Sequence, residues 1–127
     1  MKKKVLLIDD EKSFTNLLKI NLEQTGRYEV RVENWPEDAF KAAKEFKPDI
    51  MLLDIIMPRM PGGNVVAQFE ADPELKDLPI VFLSAAIQRR IVEDHDGIIC
   101  DHPCIAKPAS VDEISDAIEK YSAKPAA

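Results

Sequence analysis

Three short runs of consecutive apolar residues constrain the fold of this sequence most strongly. They are VLLI near the start, IMLL in the middle and IVFL in the second half, and a polar residue follows each run directly. Continuous apolar runs of this length are typical of strands that are buried on both faces of a parallel sheet, whereas half-exposed strands alternate in polarity. The chain is therefore expected to contain a sheet that other elements cover on both sides.

Stretches with helical periodicity separate these runs. The clearest one begins with Ser110 and has Glu113 three residues later, a capping box that predicts a helix over 110–122. Another has Pro36 at the first helical position and ends before Pro48. The remaining predicted elements are strands over 28–33 and 104–106 and helices over 14–22, 62–72 and 86–94.

Strands and helices alternate along the whole chain. This order predicts five β-α units, and hence a five-stranded parallel sheet with right-handed crossovers and helices on both faces. A length of 127 residues suits one compact domain, to which we assign residues 1–122, with 123–127 as a disordered tail. In open sheets of this kind, ligands bind at the carboxyl ends of the strands.

Reactive side chains follow the predicted strands at their carboxyl ends. Asp9 and Asp10 follow the first strand, Asp54 ends the third, Ser84 ends the fourth and Lys107 follows the fifth. The carboxylates would repel one another, and a divalent cation that prefers oxygen ligands, such as Mg²⁺, relieves that repulsion. A carboxylate in such a site is suited to accept a phosphoryl group. Taken singly, the acids are compatible with helix caps, the serine with a cap or a turn, and the lysine with a solvated side chain, so only the set indicates a site.

The composition argues against several classes of protein. A net charge of −6 disfavours binding to nucleic acid through a basic face. No apolar run approaches the roughly 18 residues that span a bilayer, and the run near the start is too short for a signal peptide. Two cysteines do not form a disulfide framework. We therefore expect a cytoplasmic protein that binds neither nucleic acid nor membrane directly.

Four motifs occur in a fixed order: LLIDDE at the start, LLDIIMPRMPGG in the middle, and then VFLSA and AKPAS. Ser84 lies thirty residues after Asp54, and Lys107 lies fifty-three residues after it. In these motifs and spacings, and over nearly its whole length, the sequence resembles the receiver domain of two-component response regulators. The resemblance implies a flavodoxin-like fold with strand order 2-1-3-4-5, and a phosphoacceptor rather than a turnover enzyme.

The resemblance also implies a role for each matched acid. Asp54 corresponds to the phosphoacceptor of a reaction that depends on Mg²⁺ or Mn²⁺. Asp10 and Asp54 correspond to direct ligands of the metal, and Asp9 to a ligand that acts through water. The backbone carbonyl of Ile56 corresponds to a further ligand, which leaves the side chain at that position free to vary.

The resemblance further implies contacts with the phosphoryl group and with partners. Ser84 matches the hydroxyl that turns inward to bond the phosphoryl group, and Lys107 matches the lysine that pairs with it. The donor would be a phosphohistidine on a sensor histidine kinase or a phosphotransfer protein. An output domain or a second copy of the chain would contact the face formed by the fourth predicted helix, the fifth strand and the fifth helix.

The sequence departs from the family pattern around the fifth strand. Cys104 occupies the position where the family usually carries an aromatic residue that swings inward on activation, so we expect a weakened switch with no ring movement. Soft ligands in this stretch also allow a zinc site, formed by Cys100, His102 and Cys104 with or without His95. A small buried cysteine in the core is the favoured interpretation.

Two other functions compete with a phosphorylatable receiver. One is a degenerate receiver that acts as an interaction module independently of phosphorylation. The other is a phosphohydrolase with an aspartate nucleophile, which requires a second acid two residues after the first. Ile56 occupies that position, and this argues against the enzyme.

Overall fold

The computed structural model describes residues 2–54, 62–84, 98–99, 102–106 and 110–122, with the backbone alone at 62–64, 84, 98–99 and 102. Within these ranges, no helix is long and apolar enough to cross a membrane. The helix predicted over 86–94 lies outside the described residues, as do residues 123–127. The strands are β1 (Lys3–Ile8), β2 (Tyr28–Glu33), β3 (Ile50–Asp54), β4 (Ile80–Ser84), β5 (Ile98–Ile99) and β6 (His102–Ala106); the helices are α1 (Lys12–Gln24), α2 (Ala39–Phe46), α3 (Gly62–Glu70) and α4 (Val111–Ser122).

The strands form one sheet in the order β2-β1-β3-β4-β6-β5. The five longer strands run parallel, so the predicted order 2-1-3-4-5 is confirmed, with β6 as the fifth parallel strand. A two-residue strand was not predicted: β5 pairs antiparallel with the start of β6, where Ile98 lies opposite Pro103. Two consecutive isoleucines are too short a run for periodicity to reveal a strand. Pro103 itself lies before the β4–β6 pairing, which begins at Cys104, as expected for a residue without an N–H.

The helix predicted to begin at Pro36 is divided in two. Residues Pro36–Asp38 form a 3₁₀ turn, and α2 continues to Phe46. Lys47 then adopts a left-handed conformation with φ 53°, and its N–H donates to the carbonyl of Ala43, which ends the helix before Pro48. A proline at the start and one just after the end therefore bound this segment, as the sequence indicated.

The core consists of two layers, one on each face of the sheet. Alternate residues of β3 separate them, because Met51 and Leu53 pack in the layer of α2 and α3. Ile50 and Leu52 pack in the layer of α1 and α4. All five residues of β3 are buried. This arrangement confirms the expectation of a central strand with both faces covered.

Side chains of α1 bind the outer edge of the sheet. β2 is an edge strand, and Val30 in its middle donates its N–H to Oε2 of Glu23 at 3.1 Å. The carbonyl of Val30 accepts a hydrogen bond from Nζ of Lys19 at 3.0 Å. Unpaired edge groups are a template for strand addition, so the two side chains close this position to another chain. The same contacts fix α1, and with it the loop that enters α1 from β1.

Candidate functional site

Two buried carboxylates lie at the carboxyl edge of the sheet. β1 and β3 are adjacent and parallel, and their last paired residues are Ile8 and Leu53. Asp9 and Asp54 directly follow these residues in the chain. Asp9 is fully buried and Asp54 is 6% exposed. Because aspartate is rarely buried to this extent without partners, the two residues mark a polar site inside the fold.

A third carboxylate joins the pair. One carboxylate oxygen each from Asp9, Glu11 and Asp54 lie within 4.8 Å of one another. Mg²⁺ binds through carboxylates together with waters and phosphate oxygens, so this donor set fits the metal that the sequence indicated. At this spacing the three negative charges repel one another, and a bound cation would remove that repulsion.

Glu11 was not among the residues that the sequence indicated. Asp10 was expected as a direct ligand, yet the acidic group contains Glu11 in its place, while the half-buried Asp10 lies outside it. The N–H of Glu11 donates to Oδ1 of Asp9 at 2.9 Å, which forms a turn just before α1. This turn places residue 11 beside residue 9, and apolar periodicity carries no signal for it. The role of Asp10 in metal binding stays a prediction.

The other expected site residues lie at the same edge or outside the described part of the chain. The backbone pairs Asp54 with Leu83, and it pairs Ser84 with Ala106, so β3, β4 and β6 end side by side. Ser84 therefore terminates the strand next to that of Asp54, although its side chain is not described. Ile56 and Lys107 lie outside the described residues, and Lys107 directly follows the end of β6.

Cys104 is a core residue of the sheet. It is 4% exposed and lies opposite Phe82 of β4. Burial raises the pKa of its thiol from the ordinary value to about 11. This favours the predicted core role over a zinc ligand, since zinc binds the thiolate. Cys100 and His95 lie outside the described residues, and the side chain of His102 is not described.

The raised thiol pKa predicts that Cys104 is unreactive in the native protein. In a Cys100→Ser background, alkylation by iodoacetamide at about pH 9 should be at least ~tenfold slower in native than in urea-unfolded protein. The pKa of the thiol is higher in the folded than in the unfolded protein, so ionisation of Cys104 destabilises the fold. The contribution of the neutral thiol to stability is therefore complete at pH values below its ordinary pKa. That contribution falls as the pH rises toward about 11. Loss of all labelling in Cys100→Ser/Cys104→Ala identifies the reacting thiol, and equal native and unfolded rates would contradict the prediction.

A family model described as the response regulator receiver domain matches residues 5–119. The chain belongs to this family. The match covers the segments that carry the acidic group, the strand ends and Cys104. The receiver domain of response regulators serves two-component signalling, so the family predicted from the motifs is confirmed.

Curated relatives that match the chain are of two very different lengths. The chain is 39% identical over 85 residues to the alkaline phosphatase synthesis transcriptional regulatory protein PhoP of Bacillus subtilis (strain 168), covering 67% of this chain and 34% of that protein. It is 29% identical over 121 residues to the polar-differentiation response regulator DivK of Brucella anthropi, covering 95% of this chain and 97% of that protein. The chain thus spans about a third of one relative and nearly all of the other.

Solved structures show the same fold. A putative response regulator from Chloroflexus aurantiacus J-10-fl matches with a TM-score of 0.81 and 25% identity, covering 98% of this chain and 100% of that one. The chemotaxis protein CheY4 of Vibrio cholerae matches with a TM-score of 0.80 and 21% identity, covering 95% and 99% of the two chains. At 21% identity, the similarity to CheY4 shows a shared fold alone.

Proposed function

We propose that this receiver domain accepts a phosphoryl group on Asp54 from a phosphohistidine and thereby switches its contacts with other proteins. The observation that carries the proposal is the group of Asp9, Glu11 and Asp54, whose carboxylate oxygens lie within 4.8 Å of one another at the carboxyl edge of the sheet. Two buried aspartates with the exposed Glu11 beside them are suited to hold a cation at this edge and to present one carboxylate to a phosphoryl donor.

The proposed transfer needs one nucleophile. An oxygen of the Asp54 carboxylate forms the new bond to phosphorus, while the bond from phosphorus to the donor histidine nitrogen breaks and its electron pair stays on that nitrogen. Asp54 lies at the end of a fully buried strand, so its position varies little and the attack geometry is set in advance. Asp9 and Glu11 would hold the metal beside it. When bound, Mg²⁺ supplies charge stabilisation for the phosphoryl oxygens.

The remaining site residues complete the proposal. Asp10 and the carbonyl of Ile56 contribute to the metal site as the family resemblance implies, which makes Asp10 and Glu11 alternative or joint partners of the ion. Ser84 and Lys107 bind oxygens of the phosphoryl group, which is supported by the strand order. Ser84 ends β4 beside β3, and Lys107 follows β6, which ends beside β4. A hydroxyl donor and an ammonium group stabilise the charge on a transferring phosphoryl group.

The partners follow from this chemistry. The donor is a sensor histidine kinase or a phosphotransfer protein in the cytoplasm, and the reaction makes the domain a phosphoacceptor rather than a turnover enzyme. The output contact is made by a domain attached to the receiver, or by a separate partner or a second copy of the chain. The chain covers 34% of PhoP, which leaves room there for a further domain, and 97% of DivK, which leaves little. A net charge of −6 disfavours direct nucleic-acid binding.

Phosphorylation by a small donor tests the proposal. Incubation of the chain with acetyl phosphate and Mg²⁺ should add the mass of one phosphoryl group, measured by intact-protein mass spectrometry, and EDTA should prevent the gain. Hydroxylamine should then release the phosphoryl group as phosphate and leave a hydroxamate on Asp54, a smaller mass gain, because it cleaves acyl phosphates and leaves phosphoserine intact. A chain that gains no mass from acetyl phosphate or from a phosphohistidine donor would instead be a degenerate receiver.

A further inference from the structure

We propose that Asn34 is a positioning residue for the metal and phosphoacceptor site, acting through the backbone of Asp9. Asn34 directly follows β2 and uses its side-chain amide for two contacts. Nδ2 donates to the carbonyl oxygen of Asp9 at 2.8 Å and to Oγ1 of Thr15 at 3.1 Å. This inference rests on the proposed function, since it concerns the same acidic group.

Glu33, the last residue of β2, and Asn34 directly after it bind both backbone polar groups of Asp9. Its N–H donates to the carbonyl of Glu33 at 3.2 Å, and its carbonyl accepts the bond from Asn34. Its side chain is fixed as well, since Oδ1 accepts the N–H of Glu11 at 2.9 Å. A side chain leaves its backbone in a direction that the backbone sets, so the amide of Asn34 orients the buried carboxylate without touching it.

Such a restraint is needed because three like charges share the site. The pairing of β1 with β3 ends at Ile8 and Leu53, so Asp9 is the first residue beyond that ladder. Repulsion from Asp54 and Glu11 would favour a loop that turns away from β3 in the absence of a cation. The Asn34 amide opposes this movement and keeps the carboxylates together before an ion binds. Binding then costs less reorganisation, which raises the affinity for the metal.

The second contact of Asn34 has a separate role. Thr15 is fully buried in the first turns of α1, and its hydroxyl donates to the carbonyl of Lys12 at 3.1 Å while it accepts the bond from Asn34. This contact ties the start of the helix to the end of β2. A change at Thr15 therefore weakens the local structure while leaving the bond from Asn34 to Asp9 in place, which separates positioning from simple stability.

The test is the affinity of the full chain for Mg²⁺ alone, measured by isothermal titration calorimetry. Asn34→Ala removes both bonds. Loss of the bond to Asp9 should raise the dissociation constant roughly three- to tenfold, the range that one hydrogen bond produces. The Mg²⁺ concentration for half-maximal phosphorylation by acetyl phosphate should rise by the same factor, while the rate at saturating Mg²⁺ falls less. Asn16→Ala, a matched change at an exposed position of α1, should leave both values unchanged.

Thr15→Val separates the two roles, because it should lower stability to urea and keep the Mg²⁺ dissociation constant within about twofold. The inference is overturned if Asn34→Ala binds Mg²⁺ like the wild type, or if both variants lose affinity in proportion to their loss of stability. Should Asn34→Ala fail to fold, Asn34→Ser provides the same readout with a shorter side chain. If the wild-type chain neither binds Mg²⁺ nor accepts a phosphoryl group, the proposed function is wrong. If wild type and Asn34→Ala bind Mg²⁺ equally well, only the role of Asn34 is wrong.

Discussion

Asp54→Asn is expected to abolish phosphoryl incorporation from acetyl phosphate completely, because the amide removes the nucleophilic carboxylate. The same variant should be more stable than the wild type in EDTA, by roughly 1–3 kcal/mol, since it relieves the repulsion that Asp54 shares with Asp9 and Glu11. Added Mg²⁺ should stabilise the wild type and have a much smaller effect on the variant. Intact mass measures the first effect, and urea unfolding with and without Mg²⁺ measures the other two.

Asp116→Asn is the matched control for this prediction. It makes the same chemical change at an exposed position of α4, so phosphorylation and the response to Mg²⁺ should both match the wild type. Mass gain in Asp54→Asn would assign the phosphoryl group to another residue. A loss of stability in EDTA would show that the three carboxylates do not repel one another in the apo protein.

Phe69→Ala should lower the free energy of unfolding by about 3–5 kcal/mol, the usual cost of removing a buried ring. Phe69 is fully buried on α3, and its ring meets that of Phe40 of α2 edge to face, with 6.0 Å between centroids and 86° between planes. Such a pair contributes about 0.5–1.5 kcal/mol beyond the buried area. Phe69→Ala removes both the buried apolar area and the ring pair from the layer that covers one face of β3. Urea unfolding measures the loss of stability.

A neighbouring residue on α3 provides the control. Gln68 is exposed, so Gln68→Ala should change the free energy of unfolding by no more than about 0.5 kcal/mol. Phe69→Leu retains much of the apolar volume, so it should fall between wild type and alanine. If alanine at position 69 costs no more than alanine at 68, the layer over β3 does not depend on this ring.

The β-α order was predictable because it depends on local patterns. The runs VLLI, IMLL and IVFL within β1, β3 and β4 are apolar at every position, as two-sided burial requires, and the proline and capping signals bound the helices around them. Apolar periodicity did not predict the short strand β5, nor the 3₁₀ turn at Pro36–Asp38 that precedes the α-helical part of its segment. Periodicity needs several residues to accumulate, and these pieces contain two or three.

Motif order and apolar runs are properties of the chain alone, so they were enough to predict the family, the sheet and the edge at which the acidic groups lie. Which groups meet at that edge follows from the three-dimensional structure. The register of β1 against β3 brings Asp9 beside Asp54. The turn closed by the hydrogen bond from the N–H of Glu11 to Oδ1 of Asp9 places Glu11 next to them. The amide of Asn34 reaches the Asp9 carbonyl only because β2 lies next to β1. The meeting of Asp9 with Asp54 and with Asn34 depends on packing between segments that are distant in sequence, and the turn at Glu11 is local but carries no apolar periodicity, so neither was predicted from the apolar pattern.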